Sequence, residues 1–244
     1  MQKNHYTSDQ LFHFVGRASP DDDAANFEML LLVLNSGNIS HRPHLPNGGT
    51  ISYAVSMEGH LATESLLVPT VTCYCDIPEQ HLSIHMKKYG KFGISFSRTY
   101  LIKEGARPVT YVPMSATGHD GIHEQQMLED WEAKYRGMRK LPASSSGVRS
   151  RRFKSEPNTN EELLSDLRTL FEKDFLAFVK PFNSDLADDD ENNYYMEREW
   201  RKYGYLAATP ETVSGVWMPE HYIEAFCERM PQFATLAKVC SPRS

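Results

Sequence analysis

No stretch of the 244-residue sequence is apolar for long enough to cross a bilayer. Its longest apolar run is Met29–Leu34, far short of the roughly 20 residues a spanning helix needs. Met1–Asp9 is polar and has no basic-then-apolar layout, so no export leader is expected. Cysteine is scarce: four residues cannot staple a chain of this length, and a reducing, cytoplasmic compartment is expected. Positive charge is not in excess either. Lys and Arg number 26 against 32 Asp and Glu, a net charge of −6 that draws the chain toward neither nucleic acid nor an anionic membrane. Glycine-rich phosphate loops, nucleophile elbows and internal repeats are absent. The one adjacent glycine pair, in Asn47-Gly48-Gly49, has the composition of a turn.

Hydrophobic residues at 40% and charged residues at 24% are an ordinary globular balance, with material for one sizeable core. The expected fold is α+β: a single domain over 1–244 with a mixed or antiparallel sheet flanked by helices. Leu11–Arg17 has strand character, with Phe12 and Phe14 on one face and His13 and Arg17 on the other. Ser19-Pro20-Asp21-Asp22 has the form of a helix start with Ser19 as N-cap, followed by Phe27, Leu30, Leu31 and Leu34 at helical spacing and a stop at Gly37. Residues 38–66 are rich in His, Pro, Gly and Ser and are expected to be mostly loop.

Val71–Cys75 reads as a strand, Asp76-Ile77-Pro78 as a turn, and Glu79–Tyr89 as a helix stopped by Gly90. Phe92, Ile94 and Phe96 alternate with small residues, as in a half-buried strand, and Pro108–Val112 is a further strand. Met127, Leu128, Trp131, Tyr135 and Met138 form a helical stripe within 122–141. About 142–160 the composition is that of an exposed loop, whose Arg149, Arg151, Arg152 and Lys154 suit either solvent or phosphate. Thr159 and Glu162 form a capping box opening a helix through Leu164, Leu167, Phe171, Phe175 and Phe178. The acidic run 188–191 is a turn. Tyr194–Tyr205 is a strand, Val213–Trp217 another, and Pro219 opens a final helix.

Three constellations carry potential chemistry. On a continuous Tyr194–Tyr205 strand, Glu197, Glu199 and Arg201 share one face while Arg198, Trp200 and Lys202 take the other. Such alternation is also what a ladder of cross-strand ion pairs looks like, with Trp200 in the core. Next, Cys73 and Cys75 share a strand face, and His81 and His85 share a helix face, the elements of a zinc site. The C-x-C spacing departs from the usual gap, however, and small cysteines on strands are common core filler. His85 then serves equally well to pack the helix end beside Tyr89. Third, Asp76 at a strand end is either a pocket carboxylate or a turn acceptor and cap for the helix after Pro78. His41, His44 and His60 show no ligand spacing, and no metal site is assigned.

Five ordered motifs, LFHFVGR (11–17), CYCDIP (73–78), HMKKYGKFGISF (85–96), GARPVTYV (105–112) and YYMEREWR (194–201), together resemble the AbiGi family of abortive-infection proteins. The resemblance implies bacterial phage defence, with the chain described as an antitoxin beside a cognate, toxic protein partner. Residues 142–160 match none of these motifs. The order of His13 and Arg17 on an early strand and Glu197, Glu199 and Arg201 on a late one is also similar to the layout of ADP-ribosyltransferases. That likeness implies NAD as cofactor, oriented by His13 and Arg17. A late-strand glutamate would oppose the positive charge that a departing nicotinamide leaves on the ribose. Asp76, His85 and Tyr89 are further pocket candidates. An antitoxin, an NAD-dependent transferase and a zinc-stabilised regulator are therefore the functional expectations.

Overall fold

The computed structural model describes residues 8–40, 53–115, 122–141, 159–187, 190 and 192–240. Its first elements are β1 (Gln10–Phe14), α1 (Asp23–Ser36), β2 (Asn38–Ile39), β3 (Tyr53–Val55) and β4 (Leu67–Pro69). The middle holds β5 (Val71–Cys75), α2 (Leu82–Tyr89), β6 (Gly93–Ser97), α3 (Arg98–Lys103), β7 (Arg107–Pro108) and β8 (Thr110–Met114). Two long helices follow, α4 (Ile122–Lys140) and α5 (Asn160–Leu170), and then β9 (Val179–Asn183). The chain continues through β10 (Glu199–Tyr203), β11 (Leu206–Ala207), β12 (Gly215–Met218), α6 (Ile223–Arg229) and β13 (Ala237–Val239). Two compact units emerge: Met1–Ser52, Thr70–Val109 and Leu186–Ser244 form one, and Tyr53–Pro69 with Thr110–Asp185 the other. The basic cluster at 149–154, His41, His44 and most of the acidic run at 188–191 lie outside the described residues.

The first unit is built on a mixed seven-stranded sheet of order β13-β12-β6-β1-β5-β10-β7. All pairs are antiparallel except β12 with β13. Alternation sorts its side chains onto two cores. Leu11, Tyr74, Ile94, Phe96, Val216 and Met218 pack with Phe27, Leu30, Leu31 and Leu34 of α1 and Phe226 of α6. Phe12, Phe14, Cys75 and Trp217 face the other way, against Leu82 and Met86 of α2. The central strands are therefore covered on both faces. That is why β6 is fully buried through Phe96 instead of half-buried. Its Ser95, between two apolar layers, is satisfied by Trp217 Nε1 at 3.0 Å.

Local chemistry moves several boundaries. Asp22, not Ser19, caps α1, its carboxylate accepting the Ala25 N–H at 2.9 Å; Ser19 instead accepts the Asp22 N–H through its carbonyl in a preceding turn. Gly37 ends α1 in the left-handed region (φ 70), as expected of the stop. β1 ends at Phe14, so Arg17 lies beyond the strand. The expected Pro108–Val112 strand is interrupted at Val109, whose N–H donates to the Glu199 carbonyl at 3.0 Å.

In the second unit, β3 pairs antiparallel with β4, and β8 pairs in parallel with β9. Leu61, Leu67, Val112, Leu128, Tyr135, Leu176, Phe178 and Val179 are buried there. Thr159 caps α5 by accepting the Glu162 N–H at 3.1 Å. The helix does not run on to Phe178 as its spacing suggests. It widens into a π-helical turn at Phe171–Phe175, and Leu167 is exposed. The widening turns Glu172 inward, 2% exposed. The buried carboxylate accepts hydrogen bonds from Tyr53 and from Tyr135 (2.7 Å) and pairs with Arg139 at 3.3 Å.

Candidate functional site

The expected Tyr194–Tyr205 strand breaks in a way that shapes the site. Tyr194–Glu197 is a 3₁₀ turn, Arg198 adopts the left-handed conformation (φ 46), and only then does β10 begin. Glu197 therefore does not share a strand face with Glu199 and Arg201. The register places Glu199 opposite Cys75 and Arg201 opposite Cys73, while Phe12 also pairs with Cys75. Glu199 and Arg201 consequently stand on the α2 side of the sheet.

Helix α2 delivers His85, Lys88 and Tyr89 at i, i+3 and i+4, so all three point the same way. The Arg17 loop is pinned to the end of this helix by the Gly16 N–H, which donates to the Tyr89 carbonyl at 2.8 Å. Only glycine permits that approach: a Cβ on residue 16 would lie 2.6 Å from the same oxygen.

The side chains then interlock. Tyr89 donates to Glu197 at 2.7 Å, and Lys88 pairs with the same carboxylate oxygen at 2.8 Å while lying 3.7 Å over the Tyr194 ring. The Arg17 guanidinium sits 5.9 Å from the Tyr89 ring centroid. His85 stacks between Tyr89 (4.4 Å) and Phe14 (5.2 Å). Glu199 accepts from Arg201 Nε at 2.7 Å, both side chains being almost fully buried. His13 follows the position at which β1 pairs with β5, with Nδ1 2.8 Å from the Cys73 carbonyl.

Electrostatics ties the two halves together. Burial, with Lys88 and His13 adding to it and Glu199 opposing, drives the His85 imidazole down to about 3. At neutral pH it is an uncharged ring. Burial and the Glu197 carboxylate push the Tyr89 phenol upward, against the pull of Arg17, so it remains a proton donor. The described side chains thus set three cations (Arg17, Lys88, Arg201) against two carboxylates (Glu197, Glu199) over a neutral imidazole.

Six of the residues singled out from sequence meet in this cluster: Arg17, His85, Tyr89, Glu197, Glu199 and Arg201. His13 pairs with Ile94 and so faces the other core, its ring 5.8 Å from that of Tyr74. Lys88 and Tyr194 were missed, although the i, i+3 spacing of His85 and Lys88 carries the signal. Asp76 belongs to a separate ion cluster. Its buried carboxylate accepts the Ser8 N–H at 3.1 Å and pairs with Arg98 (2.8 Å) and Arg198 (3.5 Å). It does not cap the turn after Pro78, which has no side-chain cap. Cys75 is core, Cys73 and His81 are exposed, and His85 is held in the aromatic stack. Among the described residues, no three His, Cys, Asp or Glu side chains come together as a metal would require. Among them, too, no helix is long and apolar enough to cross a membrane.

The fold and cluster thus define an α+β protein with a mixed sheet and a cationic, carboxylate-bearing flank. A family model described as "Putative abortive phage resistance protein AbiGi, antitoxin" matches residues 50–216. That is more than half of the chain, and the protein belongs to the AbiGi family of abortive phage resistance proteins. The match includes His85, Tyr89, Glu197, Glu199 and Arg201 and begins after His13 and Arg17. No curated protein and no solved structure matches the chain.

Proposed function

We propose that this protein is the antitoxin of an abortive phage-defence pair and acts by direct contact with its cognate toxin, without a small-molecule cofactor. One observation carries the preference for contact over catalysis: both carboxylates of the cluster are occupied from within. Glu197 is held by Lys88 and Tyr89, and Glu199 by Arg201, each within 2.8 Å. A glutamate that must face a ribosyl cation gains little by being committed to a buried guanidinium. On this reading the chain works in the cytoplasm, and its two units behave as one domain. The test is co-expression with the toxin encoded beside it. Growth arrested by the toxin alone should return when the antitoxin is present, and continued arrest would overturn the proposal.

A second reading, an NAD-dependent ADP-ribosyltransferase-like enzyme, is favoured by a different observation. His13 and Glu199 both act electrostatically on His85, and Arg17 and Glu199 both act on Tyr89. Charges from the early and the late segments thus act on the same two side chains, which supports a shared cleft. Incubation with NAD labelled in its adenylate moiety decides it. Label transferred to a protein, and lost in Glu199→Gln, supports the transferase; no transfer and no NAD binding ends it.

A further inference from the structure

The second unit holds a half-open cleft of about 480 Å³, within the roughly 300–1,000 Å³ of small-ligand sites. One wall is a single face of α4, carrying Gln125, Leu128, Glu129, Glu132, Ala133 and Arg136. Opposite stand His60, Ala62 and Thr63 of the 3₁₀ turn and Met114 at the end of β8.

The walls are braced by groups that leave little for an anion. Arg136 donates to the carbonyls of Met57 and Gly59 and to Glu132, so its guanidinium is already engaged by the wall itself. Glu132 also accepts the Leu61 N–H at 3.0 Å, and these bonds together with Arg136 hold its carboxyl below the usual carboxylate range despite burial. His60 Nδ1 lies 3.0 Å from Glu132. A carboxylate only accepts, so Nδ1 carries the proton of this contact. Glu129 is bonded only to Gln125 Nε2 (3.0 Å) and pairs with no basic side chain among the described residues. The lining therefore sets carboxylate acceptors and the unneutralised charge of Glu129 beside the apolar atoms of Leu128, Met114, Ala62 and Ala133.

A ligand that answers this lining brings hydrogen-bond donors, positive charge and a methylene body. We propose that the cleft is a binding site for a small alkylammonium or alkylguanidinium compound of the polyamine type, seated with its cationic end on Glu129 and its chain over Leu128. The site lies wholly within the second unit and is independent of the antitoxin reading.

Isothermal titration of the full chain tests this, with spermidine and agmatine as probes. N-acetyl-lysine amide stands in for a side chain of another protein, and glutarate is the anionic control. Spermidine or agmatine should bind saturably, glutarate should not, and Glu129→Gln should weaken the cation by about threefold to fivefold at low salt through loss of an exposed counter-charge. Glu129 is exposed, so the variant should melt as the parent does, which separates lost binding from lost folding. No saturable heat from either polycation overturns the proposal, as does an unchanged affinity in Glu129→Gln. Binding of the lysine amide alone also overturns it, because that would make the cleft a seat for another protein's side chain.

Discussion

The Glu199–Arg201 pair offers the sharpest energetic consequence of the structure. The Glu199 carboxylate and Arg201 guanidinium are 2.7 Å apart with side chains 6% and 7% exposed. Removing one member of such a pair leaves the other charge buried without its partner, which typically costs about 3–5 kcal/mol. Glu199→Gln keeps an acceptor for Arg201 Nε, so a loss at the lower end, about 3 kcal/mol, is expected. For a chain of this size that corresponds to a fall of about 6–12 °C in melting temperature. A surface ion pair would lose no more than about 1 kcal/mol. Thermal unfolding by circular dichroism distinguishes the two. Arg201→Gln and the double variant complete a cycle whose non-additivity should reach about 1 kcal/mol or more, since the groups are in contact. A fall under about 2 °C with additive effects would refute the reasoning and place the pair in solvent.

Three further outcomes follow from the same geometry. Gly16→Ala should cost about 1–3 kcal/mol, because its Cβ meets the Tyr89 carbonyl and the Asn26 amide at 2.6 and 2.7 Å; a variant as stable as the parent would mean the Arg17 loop is not pinned to α2. His85, lowered from 6.5 to about 3, contributes stability that is whole above pH 6.5 and declines as pH falls toward 3, where the unfolded chain takes a proton that the native ring refuses. His85→Gln should therefore lose less melting temperature than the parent between about pH 7 and about pH 5, and equal losses would contradict the burial account. A chelator should leave the melting temperature unchanged, whereas a large drop would revive Cys73, Cys75, His81 and His85 as zinc ligands.

Elements with one dominant signal were legible in the sequence. Strand β5, helix α2 and the stripe of α4 show their period or their stop residue, and the Thr159 cap is a purely local bond. Elements governed by distant packing were not. The Tyr194–Tyr205 segment alternates like one strand, yet nothing local announces that Arg198 adopts φ 46 and turns Glu197 off the sheet. The π-helical turn that buries Glu172 answers to Tyr53 and Tyr135, far away in sequence. The short parallel edge strand β13 carries no pattern of its own, and its existence depends on β12 beside it. His60 was passed over because its partner, Glu132, is 72 residues away. Residue types in the cluster around Tyr89 were readable as candidates, but their mutual neutralisation was not, since it depends on which cation reaches which carboxylate.

The central claim, inhibition of a toxin by contact alone, is tested most directly by titrating the purified antitoxin into its purified cognate toxin, both dialysed free of nucleotides and metals. The account predicts a saturable complex with a dissociation constant of about 1 µM or tighter, unchanged when NAD is added. No measurable heat without NAD, and binding restored by it, would contradict contact as the mechanism and give the protein to the transferase reading.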